Sequence, residues 1–330
     1  MSFQTHHFMS HEILTIGAAT RDIFLVSNAF RSIANKSFEG GHAECVPLGS
    51  KIEIQTFVAT SGGGATNAAA TFRSLGFKTA MTCRIGDDSI GRDLLEEFKK
   101  NRIETKYINT IKDGQTAYST LLTMPEGERT ALVYRGVSSK FTDADIHWSA
   151  VKKSKWIYLT SLGGNFELSK KIVEFAHKHH VKIAWNPGGA ELKKGMKFFS
   201  PVLALVDVFI INKEEAELLT AETNLKKLCT ILKKEGVIRL ITNGSKGTTL
   251  IDGLSIHNVG TSGTKGISKT GAGDAFGSGF VAALLKFKDA HIAARIGTIN
   301  AESVIQHLGA KKGVLKDWPT ESKLRKIKIV

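Results

Sequence analysis

Cysteine is scarce in this chain, long apolar runs are missing, and its lysines are not interleaved with aromatic residues. Each shortage removes a class of function. Cys45, Cys83 and Cys229 are scattered, odd in number and form no CxxC pair. That argues against a disulfide framework or a zinc site and points to a reducing, cytoplasmic setting. The longest apolar stretch, 202–211, is broken by Asp207 and stops at Asn212. A bilayer crossing needs ~20 apolar residues, so no membrane association is expected. The opening MSFQTHHFMSHE has no apolar signal core, so export is not expected, and His6 and His7 within it are expected to be disordered. There is no internal repeat, low-complexity segment or evident linker.

What is present suits a globular enzyme. Of the 330 residues 42% are hydrophobic, enough for a packed core at this length, and 23% are charged, near the globular norm. The net charge of +14 raises the question of nucleic acid. The lysines, however, come as separated pairs such as Lys152-Lys153, Lys233-Lys234 and Lys311-Lys312, a pattern expected on solvated helix exteriors. The excess of positive charge fits small anions such as nucleotides and sugar phosphates, and no nucleic acid partner is expected.

Periodicity separates two regions. From about residue 150 strands and helices alternate: strands near 156–159, 182–185, 206–211 and 239–242, helices near 169–179, 214–219, 225–234, 273–285 and 290–306. This alternation predicts parallel βαβ units covered on both faces, a three-layer α/β/α core with a mostly parallel central sheet. Extended segments at 23–26 and 52–58 and a hairpin over 115–134 do not share that rhythm. They predict a small β-sheet lid, from segments at about 23–60 and 106–136, projecting from a single domain spanning 1–330.

The most chemical stretch is SKTGAGDAFGSGF, Ser268–Phe280. Gly271 and Gly273 allow close backbone approach, and the apolar run that follows places the loop at a helix N-terminus, where free N–H groups and the dipole favour an anion. Asp274 would stand in the first turn. It complements the dipole there, or it serves as a general base for a hydroxyl that meets an incoming phosphate. A Walker A loop is excluded because Ser268, not glycine, precedes Lys269-Thr270. A dinucleotide fingerprint is excluded because Phe276 fills the last glycine position and the motif lies late in the chain. Residue types alone leave the phosphate cradle and a plain helix entry equally open.

Four further motifs join it. GAATRDIFL places Asp22 just past a strand end, where α/β sheets bind ligands. SGGGATNAA supplies a glycine turn with Asn67 on the following helix. NKEEAELL presents Asn212 and Glu215, and TNGSKG presents Thr242, Gly244 and Gly247, each beyond a strand. In this order and closing on GAGD, the five resemble the ribokinase-like (PfkB) family of carbohydrate and nucleoside kinases over about residues 13–313. The resemblance implies an ATP-dependent phosphotransferase acting on a hydroxyl of a sugar or sugar-like compound. It implies Asp274 as catalytic base and Gly271, Ala272 and Gly273 as anion hole. Asp22, Gly63 and Asn67 would hold substrate hydroxyls, and Asn212 with Glu215 would organise Mg2+, largely through water. Thr242, Gly244 and Gly247 would approach the ATP phosphates, with Asn300 near adenine. The lid would close on substrate and join two copies into a homodimer.

One departure stands out. The family's loop usually opens Asp-Thr, and this chain has Ser268-Lys269. That region commonly helps build a monovalent-cation site, so cation dependence is in doubt. Either the Lys269 ammonium replaces the cation or its side chain simply points to solvent. Arg135, after the hairpin, would meet an anionic group on the substrate or is a plain surface residue. His177, His179 and His180 crowd a helix end, which accounts for them without metal. Asp87-Asp88 reads as a helix cap. Nucleoside and sugar-phosphate kinases are the alternatives within the resemblance, and a non-catalytic nucleotide- or sugar-binding relative is the alternative outside it.

Overall fold

The computed structural model describes residues 11–330, so His6 and His7 lie outside the described residues. In chain order its strands are β1 (Ile13–Ile16), β2 (Thr20–Val26), β3 (Arg31–Ala34), β4 (His42–Cys45), β5 (Thr56–Gly62), β6 (Thr79–Thr82), β7 (Arg84–Gly86), β8 (Asn109–Ile111), β9 (Ala117–Thr123), β10 (Arg129–Tyr134), β11 (Trp156–Thr160), β12 (Lys182–Asn186), β13 (Val208–Asn212), β14 (Ile238–Thr242), β15 (Thr248–Asp252) and β16 (Ser255–Val259).

The main sheet runs β16-β15-β14-β13-β12-β11-β1-β6. The six strands from β14 to β6 are parallel, and β15 and β16 add an antiparallel edge. The basic C-terminal tail extends that edge: the Val330 and Asn258 backbones exchange hydrogen bonds of 3.0 and 2.7 Å. β1 and β11 are buried at every position, as expected where helices cover both faces. The period of two then divides their residues. Ile13, Tyr158 and Ile210 pack with the helices Gly64–Ser74, Ala272–Phe287 and Ala290–Val304. Leu14, Ile157 and Phe209 pack with Phe166–Lys178, Met196–Leu203 and Leu225–Leu232 on the other face. Trp185 is fully buried, stacked on Phe199 at 5.0 Å. The fold is the expected α/β/α arrangement with a separate smaller sheet.

That smaller sheet has the order β10-β9-β2-β5. β2 pairs parallel with β9 and antiparallel with β5. It begins at Thr20 and ends at Gly62, so its base is continuous with both the GAATRD and the SGGG segments. β3 and β4 form a further hairpin between β2 and β5. No helix among the described residues is long and apolar enough to cross a membrane.

Candidate active site

The GAGD loop is shaped by what lies beneath it. Gly271 caps the helix Ala272–Phe287 in the left-handed region, at φ 80°. A Cβ there would stand 2.3 Å from the Cβ of Ala310, so this glycine is required by packing and by conformation. Around Gly273 the space is open, with nothing within 4 Å of where a Cβ would stand. No side chain among the described residues caps this helix, so its first N–H groups face a cavity of about 190 Å³. Asp274, Asn212, Glu215 and Thr242 line that cavity with the two glycines, as does Asn186. The strand ends of β12, β13 and β14 deliver Asn186, Asn212 and Thr242 to one rim.

Asp274 is partly covered, and burial is the main cause of an upward shift of its carboxyl; Asn67 Nδ2 opposes the shift by donating to Oδ2 at 2.8 Å. Asn67 Oδ1 is buried with no partner, and so is the Tyr158 hydroxyl nearby. An unpartnered buried acceptor beside a carboxylate suits a hydroxyl donor. Asp22 is buried at 7% exposure, and burial pushes its carboxyl up to about 6. Asp274 adds to that rise, while Ser119, Lys311 and Arg21 work against it. A Cβ on Gly62 would stand 1.8 Å from Asp22 Oδ2, and one on Gly63 would stand 2.4 Å from the Ala18 carbonyl oxygen, at φ 94°. The glycine turn therefore lets Asp22 lie flat against the backbone that leads into the Asn67 helix. A second cavity, about 180 Å³, adjoins Gly63 and is lined by Ser119, Ser139, Ser161 and the exposed Arg135.

Asn212 and Glu215 are tied to each other first. Asn212 Oδ1 accepts from Glu215 N and Glu215 Oε2 accepts from Asn212 N, each at 2.8 Å, a capping box on the helix Lys213–Thr220. The box leaves Oε1 over. Glu215 is shifted upward, chiefly by burial, with Glu214 and Asp274 contributing. No three His, Cys, Asp or Glu side chains converge as a metal cage among the described residues, the histidines at 177, 179 and 180 included. One carboxylate oxygen with neutral oxygen donors fits magnesium, which keeps most of its waters and takes substrate phosphates as ligands.

Asn300 and Lys311 lie otherwise than expected, and Gly244, Gly247 and Lys269 have defined surroundings. Asn300 cannot reach adenine: it is fully buried, its amide donating to the Ala275 carbonyl at 2.7 Å and its Oδ1 accepting from Leu315 N at 2.9 Å. Gly247 is turned into the sheet, where a Cβ would stand 2.1 Å from the Val259 carbonyl oxygen; Gly244, at φ 53°, is exposed with open space around it. The Lys269 side chain follows the second of its two readings and points to solvent. Its exposed ammonium pairs with Glu128 at 2.9 Å, in the turn between β9 and β10. Lys311 is no exterior charge either. Its side chain is only 14% exposed, and Nζ donates to Glu97 Oε1 at 2.8 Å and to Ser61 Oγ. The GAKKG setting, a lysine flanked by glycines close to a long helix end, is the one signal that could have marked it. Asp88 caps its helix as expected, accepting from Gly91 N at 2.7 Å.

The structure thus gathers Gly271, Gly273, Asp274, Asn212, Glu215 and Thr242 around one cavity, and the Asn67–Asp274 hydrogen bond ties it to the side where Gly63 and Asp22 lie. The family model for pfkB carbohydrate kinases matches residues 27–317. A ribokinase of Haemophilus influenzae is 28% identical over 301 residues, covering 84% of this chain and 93% of that protein. An uncharacterized sugar kinase of Archaeoglobus fulgidus is 28% identical over 245 residues, 73% of this chain and 96% of that protein. Among solved structures, adenosine kinase from Sinorhizobium meliloti aligns with a TM-score of 0.75 at 21% identity, covering 92% of this chain and 97% of that one. Ribokinase from Thermotoga maritima aligns at 0.69 and 19%, covering 96% and 98%.

Proposed function

Because the chain belongs to the pfkB family of carbohydrate kinases, we propose that it moves the γ-phosphoryl group of ATP to a hydroxyl of a sugar or sugar-like alcohol, with Asp274 as general base. The observation that carries this reading is the placing of the Asp274 carboxylate, held by Asn67 at 2.8 Å, in the first turn of an uncapped helix at the cavity rim. A carboxylate beside an anion site repels the anion unless it takes a proton there. Asp274 takes the acceptor's hydroxyl proton as that oxygen bonds to the γ-phosphorus. The bond from phosphorus to the bridging oxygen breaks, and ADP leaves. Backbone N–H groups at Gly273 and Asp274 meet the charge that develops on the transferred group.

Asp22 and the unpartnered Asn67 Oδ1 orient the acceptor hydroxyls from the other side. Thr242 and Gly244 stand on the side where the ATP phosphates would lie. Magnesium bound with ATP would neutralise its phosphate oxygens, with Glu215 Oε1 holding it through water. The anion hole in this reading draws its charge from N–H groups and the helix dipole, without help from Lys269. A second reading, a sugar-phosphate acceptor, is favoured by Arg135 at the mouth of the serine-lined cavity. The lid would also join two copies through its outer face.

The test is ADP release over a panel of free sugars, nucleosides and sugar phosphates. Asp274→Asn should lose ~10²–10⁴ of the turnover, the usual loss with a general base, while ATP binding measured by calorimetry survives. Near-normal turnover in that variant would sink the assignment, and no turnover with any acceptor would favour a binding protein.

A further inference from the structure

Four charged side chains gather at the base of the lid, Asp22 buried and the other three half-buried, and only Asp22 has a role so far. Arg21 and Asp22 are neighbours on β2, so the strand sends them to opposite faces. Arg21 pairs with Glu97 Oε2 at 3.2 Å, and Glu97 Oε1 accepts from Lys311 at 2.8 Å and from Ser61 Oγ at 2.5 Å. Ser61 also accepts from the Lys311 ammonium and sits opposite Arg21 in the β2–β5 ladder. All three charges are well covered: the side chains of Arg21, Glu97 and Lys311 are 14%, 26% and 14% exposed.

The position of Lys311 gives the group a purpose. Ser61 is the residue before Gly62, whose backbone lies against the Asp22 carboxylate. On its other side Lys311 follows Ala310, which packs directly under Gly271 of the anion hole. The one lysine therefore links the turn that holds the acceptor and the turn that holds the phosphoryl group. Its positive charge also acts on Asp22, as Asp22 acts on it.

We propose that Lys311 is a positioning residue for the acceptor: its ammonium clamps the end of β5, at Ser61–Gly62, to Glu97 and registers that strand end, with the Asp22 carboxylate lying against it, to the anion hole. The proposal rests on the kinase reading above, but it is tested apart from it. The groups that act on Asp22 are Ser119 from β9, Asp274 from the anion-hole helix, Lys311, and Arg21 across the strand from the opposite face. Of these, Lys311 is a half-buried cation outside the reacting residues. Glu97 is held below the ordinary range: burial lifts it, and Lys311, Ser61 and Arg21 together overcome that lift.

The experiment compares the full-length protein with Lys311→Met, Lys311→Gln and Lys311→Arg. The readout is the titration midpoint of the Asp22 side-chain carboxyl by carbon NMR, with Asp22→Asn to assign the signal. Loss of the neighbouring charge should raise that midpoint by about one pH unit in the Met and Gln variants, and Arg should restore most of it. The Gln variant keeps a donor for Ser61 and Glu97, so it serves if the Met variant does not fold. With an accepted substrate, the neutral variants should raise acceptor KM roughly tenfold and leave ATP KM unchanged, the size of one charged hydrogen bond. An unmoved Asp22 midpoint in a folded neutral variant overturns the proposal, as does an equal rise in both KM values. Absence of any accepted substrate would count against the kinase reading alone, because the titration does not need turnover.

Discussion

Asp22 is a carboxylate kept where a carboxylate is costly. Its folded value of about 6 stands above the ordinary 3.8, with burial as the first cause. The folded state therefore holds this proton more tightly than the unfolded chain does. The stability gained from protonation is present below about 4 and is lost as pH rises through about 6. At pH 7 the ionised group costs the fold about 3 kcal/mol, from the difference between the two values. Asp22→Asn keeps the shape and removes the charge, so urea midpoints should show a gain of about 1–3 kcal/mol at pH 7 and a flatter stability profile between pH 4 and 6. Acceptor affinity should fall in the same variant. A loss of stability at pH 7 would mean that Asp22 is carried by its partners, not by its use. GAATRD drew the eye to Asp22 as a charge past the end of β1, although the residue stands inside β2 of the smaller sheet. Its environment was not legible, since Gly62, Ser119 and Lys311 come from three distant segments.

At the scale of elements, helix ends were easier to see than the contacts made by helix middles. The GAGD entry, the Asn212 cap and the Asp88 cap all rest on local backbone bonds, which short spacing encodes. Asn300 is a counterexample. Its place on a late helix suggested a ligand contact, yet the helices Ala272–Phe287 and Ala290–Val304 pack face to face and enclose it. Its amide instead joins the first helix to the Leu315 backbone. Asn300→Ala would remove one donor from the Ala275 carbonyl and the acceptor of the Leu315 N–H, and should lower unfolding free energy by about 1–3 kcal/mol. ATP KM should stay within about twofold of the parent value, because the Asn300 side chain is enclosed between the two helices. A selective rise in ATP KM without loss of stability would restore the adenine role. Lys311 escaped for the same reason as Asn300, because doublets such as Lys311-Lys312 read as solvated charge until Glu97 and Ser61 are brought over the first member. β3 and β4 escaped because the residues of β3 are all exposed and carry no period.

The whole molecule divides its apolar surface unevenly, and the division follows the alternation of its strands. In the main sheet both faces are covered, so alternate residues supply two separate cores. In the lid the same alternation sends Asp22, Ser119 and Val133 toward the cleft and Phe57 and Leu132 away from it, as the registers Asp22↔Ser119, Ser119↔Val133 and Leu25↔Phe57 require. Near the base, the outer face is closed by the Arg21–Glu97 pair and the helix Ser89–Lys100. Further out nothing within the described chain covers it: Phe57 is 65% and Leu132 56% exposed, with Leu25 and Leu122 partly covered between them. Apolar side chains left uncovered on the back of the lid gain most by pairing back to back with a second copy. Equilibrium sedimentation should therefore give twice the 35.8 kDa chain mass. Leu132→Lys, which lies on that outer face, should shift the protein to monomer by burying an unpaired charge in the contact. A parent protein that sediments as a monomer would leave the lid as a cover alone, with its back exposed to solvent.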